Sequence, residues 1–217
     1  MKFYALEGNT QKLDGGAMFG NAPRPMWEKW CPPDALNRIV LACRSLLVRT
    51  ESGKNILFEA GIGAFFEPKL KERFGVVESR HVLLDSLAAC GLAHTDIHAV
   101  VLSHLHFDHA GGLLSEYVEG QKPHLLFSRA KYYVSEKHWQ RALEPHSRDR
   151  ASFLPDLNSQ LEHSGRLVLV PSTGVSDLAP LVTFHFSEGH TPGLMLAQLN
   201  LEQGPLVFAA DLIPGMA

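Results

Sequence analysis

Residues 103–112 contain a histidine cluster that constrains the fold of this chain more than any other segment. They read Ser-His-Leu-His-Phe-Asp-His-Ala-Gly-Gly, which supplies His104, His106, Asp108 and His109. His104 and His106 are two residues apart, so in an extended chain both imidazoles point to the same side and can bind one ion. The two glycines that follow allow a sharp turn that presents the other two side chains. Because histidine and carboxylate are the usual ligands of catalytic Zn²⁺, we expect a transition-metal site, with zinc as the ion.

The alternative is that these four residues are ordinary surface or core side chains. In a chain with this histidine and aspartate content, the pattern His-x-His-x-Asp-His arises by chance on the order of once in a thousand sequences. The metal-site interpretation is therefore favoured strongly.

The segments around the cluster predict a mixed fold. Residues 97–102, just before the cluster, form a short continuous apolar run that is typical of a strand buried on both faces. Strands are also expected over 39–48, 55–59, 124–128, 132–134, 166–170, 181–186, 195–199 and 206–210. Helices are expected over 68–74, 80–90, 136–143 and 159–163, with a loop or lid over 144–156. This order of strands, helices, a loop and further strands predicts sheets sandwiched by helices.

Two later segments add further candidate ligands. His190 lies in the turn Glu-Gly-His-Thr-Pro-Gly between two predicted strands, and Asp211 follows the apolar run Phe-Ala-Ala at the end of another. Each signal is weak alone, because a loop histidine is usually solvated and an aspartate often begins a turn. Seven histidines lack any motif and are expected to be structural or solvated: His81, His94, His98, His124, His138, His163 and His185.

The order His-Leu-His-Phe-Asp-His, Gly-His-Thr-Pro-Gly and a strand ending in aspartate resembles the metallo-β-lactamase superfamily over nearly the whole chain. The resemblance implies an α/β (α+β) fold, a four-layer αβ/βα sandwich with metal at the sheet edge, in a single domain over residues 1–217. It also implies the roles of the candidate ligands. One metal ion would be held by His104, His106 and His190; Asp108 and His109 would help hold a second, and Asp211 would bridge both.

Two departures from the family pattern affect these expectations. The family supplies one more histidine after the bridging carboxylate, whereas residues 212–217 contain none. We therefore expect the sequence to lack the last strands and helix of the fold, with tight metal binding at the three-histidine group and weak binding at the second. Glu59-Ala60-Gly61 stands where the family has Asp-Thr-Gly. Glu59 is expected to lie behind the ligands and orient them.

A metal site of this kind favours hydrolysis. Water bound to such an ion loses a proton near neutral pH, and the ion polarises the carbonyl or phosphoryl oxygen under attack. Asp108 is the expected catalytic residue, which orients the hydroxide and passes a proton to the leaving group. We therefore expect a zinc-dependent metallo-hydrolase with one or two ions, iron or manganese being alternatives. Its small-molecule substrate would contain an ester, lactone, thioester or related bond.

Two other functions remain open on the sequence. A mononuclear iron site with the same histidines would make the chain an oxidoreductase, and the identity of the metal discriminates between the two. A non-catalytic metal-binding remnant is the second alternative, which an activity screen and a size measurement would detect. A homo-oligomer is also left open.

Composition and charge argue against several kinds of partner. The net charge is −3 and there is no long run of lysine or arginine, which argues against a nucleic-acid partner. Cys31, Cys43 and Cys90 are odd in number and widely spaced, so we expect a reducing, cytoplasmic environment rather than a disulfide framework. No apolar run is long enough to span a membrane, and the apolar stretch at the N-terminus is too short for a signal peptide.

Overall fold

A computed structural model describes residues 1–215 of the chain. The strands are β1 (Lys2–Leu6), β2 (Thr10–Asp14), β3 (Arg38–Ala42), β4 (Ser45–Arg49), β5 (Asn55–Phe58), β6 (Ala99–Val101), β7 (Lys131–Ser135), β8 (Leu167–Val170), β9 (Val182–Ser187), β10 (Leu194–Leu199) and β11 (Leu206–Phe208). The helices are α1 (Gly15–Phe19), α2 (Arg24–Trp27), α3 (Pro68–Arg73), α4 (Val82–Ala89), α5 (Phe107–Ala110), α6 (Glu136–Leu143) and α7 (Pro155–His163). None of these helices has the length and apolar character that crossing a membrane would require.

The larger sheet has six strands in the order β1-β4-β5-β6-β7-β8. Strand β4 is antiparallel to both of its neighbours, whereas β5, β6, β7 and β8 run parallel to one another. All three residues of β6 are buried, as the apolar run before the cluster predicts. The carboxyl ends of β5, β6 and β7 therefore meet at one edge of the sheet, which is where open α/β sheets bind their ligands.

Two hydrophobic cores lie on the two faces of this sheet. On one face, Leu87 of α4, Trp139 of α6 and Leu161 of α7 pack against the sheet. On the other face, residues such as Phe58 and Tyr133 pack against the inner side of a three-stranded antiparallel sheet in the order β11-β10-β9. Within the described residues, the layers are helices, the six-stranded sheet and the three-stranded sheet. The predicted α/β class, with helices and sheets in layers, is confirmed.

The predicted strand over residues 39–48 is wrong, because the chain changes sheets in the middle of it. Residues of β3 pair with β2 in a separate two-stranded sheet, and after Cys43 and Arg44 the chain enters the large sheet as β4. Residues 15–19 and 24–27 form the short helices α1 and α2, which the sequence pattern did not predict.

The predicted strand over residues 124–128 is also wrong, since none of the strands within residues 1–215 pairs with it. Leu125 forms one isolated bridge with Leu114. The backbone N–H of Leu125 donates to the side chain of Gln160, and that of Leu126 donates to the carbonyl of Leu113. The helix predicted over 136–143 is present with those bounds. Helix α7 begins at Pro155, earlier than predicted, because proline is well suited to the first position of a helix.

Candidate metal centre

The histidine cluster lies just past the carboxyl end of β6, at the edge described above. The chain stays extended through His104 and turns at His106, whose backbone angles of φ −63° and ψ 147° place it immediately before α5. The single helical turn of α5 then carries Asp108 and His109. The sharp turn expected after His106 is therefore a helical turn that follows an extended segment.

The two remaining candidates reach the same edge from the smaller sheet. His190 lies in the loop between β9 and β10, and Asp211 lies in a short 3-10 turn after β11. The backbone joins the two regions, because Met195 N–H donates to the carbonyl of Ser103 over 2.9 Å. The candidate ligands, separated by up to about a hundred residues in sequence, are thereby brought together.

The donor atoms fall into two groups. In the first, one ligand atom each from His104, His106 and His190 lie within 4.8 Å of one another. In the second, the same limit holds for His104, His109 and Asp211. Asp108 belongs to neither group, but its Oδ2 lies 3.6 Å from His109 Nε2.

Asp211, a member of the second group, also lies close to the first. Its Oδ2 is 3.3 Å from His109 Nε2 and 3.5 Å from His190 Nε2. His190 Nε2 is also 3.1 Å from His106 Nδ1, so two imidazole nitrogens face each other. Two neutral lone pairs at this distance repel unless a cation or a shared proton lies between them.

An orphaned nitrogen atom tests whether a metal ion fits these residues. His104 is fully buried, and its Nε2 has no hydrogen-bond partner among residues 1–215. A buried polar atom without a partner costs about 1–3 kcal/mol, so a structure tolerates it where a ligand satisfies it. Several imidazoles together with carboxylates are also the donor set that suits a divalent transition metal. The residues therefore fit a metal ion.

The protonation of these histidines matches this use. Burial, followed by the neighbouring imidazoles, lowers the pKa of His104 well below its ordinary value and that of His106 to about 3. Both rings are therefore neutral at physiological pH, as metal ligands must be. Burial also acts to lower the pKa of His109, but the charges of Asp108 and Glu59 and a hydrogen bond with Asp211 outweigh it and raise the pKa well above the ordinary value.

Glu59 lies next to His109, on the side of the ring away from Asp211. Its buried carboxylate accepts a hydrogen bond from Ser103 N–H over 2.7 Å through Oε1, and Oε2 is 3.0 Å from His109 Nδ1. The backbone of Glu59 has φ +65°, which is uncommon for a residue other than glycine and costs free energy. The surrounding contacts hold the residue in this conformation and so place Oε2 as the hydrogen-bond acceptor for Nδ1–H of His109.

Two contacts of the centre were not predicted. Ser103 Oγ lies 2.8 Å from Nδ1 of His104, the ring nitrogen opposite the orphaned one. His138, expected to be structural or solvated, is fully buried and contacts the backbone of two ligand loops. The sequence contained one signal for His138, which is its position just after the predicted strand over 132–134. That strand is β7, and its carboxyl end lies beside that of the parallel strand β6, where the histidine cluster begins.

These features define a metal centre at the sheet edge of a layered α/β protein, and comparison with known proteins identifies the family. The model of the metallo-beta-lactamase superfamily matches residues 38–216, so the chain belongs to this superfamily. A search of curated proteins found no match.

Solved structures of this superfamily resemble the chain closely. A probable metal-dependent hydrolase from Staphylococcus aureus is 30% identical, with a TM-score of 0.82 over 95% of this chain and 71% of that one. AidC, a dizinc quorum-quenching lactonase, is 24% identical, with a TM-score of 0.70 over 97% and 71% of the two chains. An N-acyl homoserine lactone hydrolase is 22% identical, with a TM-score of 0.67 over 97% and 75%. At these identities, the likeness to the two lactonases is one of fold.

Proposed function

We propose that this protein is a zinc-dependent hydrolase that cleaves an ester, lactone or thioester bond of a small molecule. The observation that carries the proposal is the first donor group, in which His104, His106 and His190 converge, while an imidazole nitrogen of His104 is buried without a hydrogen-bond partner in the described part of the chain. The second donor group, with His109 and Asp211, supports a second ion beside it. A related hydrolase from Staphylococcus aureus is itself described as metal-dependent.

Each side chain has a role that its position supports. When bound, a divalent ion acts as a Lewis acid and lowers the pKa of a coordinated water. His104, His106 and His190 would hold the first ion, and the carboxylate of Asp211, which lies near both His109 and His190, would be available to both ions. Asp108 is partly exposed beside the second group, where its carboxylate can accept a proton and pass it to a leaving group.

The bond classes follow from the chemistry of the site and from the known relatives. A carbonyl adjacent to a leaving oxygen or sulfur is the type of substrate that a Lewis acid and a proton-carrying carboxylate can cleave together. Two of the similar structures are lactonases, and one of them has its product bound at the catalytic metal center. Lactones are therefore the first substrates to test, followed by aryl esters and thioesters.

The test measures metal content and hydrolysis on the same preparation. Protein purified without chelators should contain zinc, and His104→Ala should lose both the zinc and the hydrolysis of the lactone, ester and thioester panel. His94→Ala is the matched control, because His94 bonds a distant carbonyl, that of Leu126, and lies in neither donor group. Iron in place of zinc, with consumption of oxygen, would instead indicate an oxidoreductase; a folded parent chain that binds no metal would refute the proposal.

A further inference from the structure

His138 makes two backbone hydrogen bonds, and in each of them the partner decides whether the ring nitrogen donates or accepts. Its ring is fully buried in the first turn of α6. Nε2 lies 2.8 Å from the backbone nitrogen of Leu105, and Nδ1 lies 3.1 Å from the carbonyl oxygen of Pro192. A backbone N–H only donates and a carbonyl only accepts, so Nε2 accepts from Leu105 and Nδ1 donates to Pro192. The two partners fix a neutral ring with its proton on Nδ1.

The two partners of His138 belong to the two loops that carry the first donor group. Leu105 is the residue between His104 and His106, and Pro192 is two residues after His190. One imidazole therefore spans loops that come from different sheets of the sandwich. The shared contact fixes how far apart the His104–His106 pair and His190 can lie.

The start of α6 is built against the His190 loop. Ser135 Oγ caps the helix by accepting the backbone N–H of His138 over 3.1 Å. Gly193 has φ +72°, and a Cβ added there would lie 2.7 Å from the backbone nitrogen of His138 and 2.9 Å from Ser135 Oγ. This approach, closer than side chains tolerate, leaves the loop little freedom to shift against the helix. The ring of His138 and the close backbone packing at Gly193 therefore both hold the His190 loop against the start of α6.

We propose that His138 is a positioning residue of the metal centre, which holds the His104–His106 loop and the His190 loop at the separation that one metal ion requires. This inference rests on the proposed function, because it concerns the same donor group. His138 is not a ligand of that group, because both of its ring nitrogens bond backbone atoms. It acts through the backbone of the residues beside the ligands.

Metal affinity distinguishes positioning from simple core filling. His138→Phe keeps a ring of similar size but removes both hydrogen bonds, and we expect its affinity for Zn²⁺ to fall about 10–100-fold, the usual effect of losing a residue that supports ligands. The absorption spectrum of the Co²⁺-loaded variant should change as well, because the ligands move. Tyr132→Phe is the control, since it removes a buried hydroxyl that donates to the carbonyl of Phe127, away from both ligand loops.

Two half-variants separate the two hydrogen bonds. His138→Gln can place an acceptor near the position of Nε2, and His138→Asn can place a donor near that of Nδ1. In the metal-free protein, hydrogen exchange should quicken in residues 189–194 for the Gln variant, in residues 104–106 for the Asn variant, and in both segments for the Phe variant. Tyr132→Phe should quicken neither segment.

The outcomes separate this inference from the proposed function. If His138→Phe binds Zn²⁺ with the parent affinity and spectrum, or leaves exchange in both segments unchanged, the positioning role is refuted while the hydrolase proposal stands. If the parent chain binds no Zn²⁺, the hydrolase proposal fails, and the exchange measurement alone then decides whether His138 holds the loops. If His138→Phe does not fold, the same comparisons are made with the two half-variants.

Discussion

Glu59 and His109 form a buried carboxylate–imidazole pair, with Oε2 3.0 Å from Nδ1. The carboxylate can only accept a hydrogen bond, so Nδ1 of His109 carries a proton and donates it. The opposite nitrogen, Nε2, faces Asp211 and lies in the second donor group. A metal ion there would displace the second proton of the ring, and Glu59 keeps the first in place.

Glu59→Gln should weaken binding of the second ion about 10–100-fold, the usual effect of losing a carboxylate behind a ligating histidine. A glutamine amide cannot accept from both Ser103 N–H and His109 Nδ1–H, which the two carboxylate oxygens now do. The ring of His109 would then adopt the other tautomer, with a proton on the nitrogen that should face the ion. Competition with a chromophoric chelator measures the affinity for the second ion. Glu78→Gln is the control, because the carboxylate of Glu78 accepts from the backbone N–H of Thr10, remote from the metal centre. Equal loss in both variants would contradict the prediction.

The two ions should bind with unequal affinity and respond differently to pH. The first group has neutral His104 and His106 ready to bind, whereas the second must remove a proton from His109, whose pKa is raised well above the ordinary value. Raising the pH from about 6.5 to 7.5 should therefore tighten the second site by up to about tenfold, since one proton is released, and the first site much less. Calorimetric titration with Zn²⁺ at both pH values measures this. Two equally tight sites would be evidence against it.

The stability of the metal-free protein should fall as the pH is lowered below about 6.5. Burial lowers the pKa of His106 to about 3 and that of His138 to about 4, and lowers that of His104 strongly. In the unfolded chain these three rings take up protons near pH 6.5, whereas in the folded chain they stay neutral, so acid favours unfolding. His109 acts in the opposite direction, because its raised pKa keeps its proton in the folded state. Below pH 6.5 the unfolded chain also takes up a proton on His109, so this opposing effect fades there and the three neutral rings decide the sign. The buried ring of His81, whose pKa burial also lowers, acts in the same direction as those three.

Denaturant unfolding of chelator-treated protein tests this linkage. The free energy of unfolding should fall by about 3 kcal/mol between pH 6.5 and about 5.5, because each proton taken up on unfolding costs about 1.4 kcal/mol per pH unit and each ring is on average about three-quarters protonated over this range in the unfolded chain. His106→Gln removes one of the responsible rings and should make this pH dependence shallower. A stability that is flat across this range would show that the buried rings are protonated in the folded state.

Gly193→Ala should be more harmful than Gly91→Ala, although the two glycines have nearly the same backbone conformation. Their φ values are +72° and +73°, so each alanine meets the same backbone strain of about 1 kcal/mol or more. Only at Gly193 would the new Cβ collide with the start of α6; at Gly91 nothing lies within 4 Å. Gly193→Ala should therefore lower the unfolding midpoint further and also weaken Zn²⁺ binding. Equal effects of the two substitutions would show that strain alone matters.

Local pattern alone predicted much of this molecule. The two-residue spacing of His104 and His106, the short apolar strand before them and the helix over 136–143 are all encoded in neighbouring residues. Alternation, helical periodicity and capping act over a few positions and need no distant partner. The same local information named the six candidate ligands, whereas Glu59 and the question of which ligands meet were inferred from a family resemblance.

The tertiary structure decided which of these segments meet. His106 and His190 are 84 residues apart in sequence, and they meet because the start of β10 bonds to the residue before His104. Strand pairing likewise splits residues 39–48 between two sheets, and it places His138 beside the ligand loops because β7 is the parallel neighbour of β6. Pairing between strands depends on the whole set of strands that compete for each edge. A sequence segment therefore specifies its own conformation, and only the assembled sheets specify its neighbours.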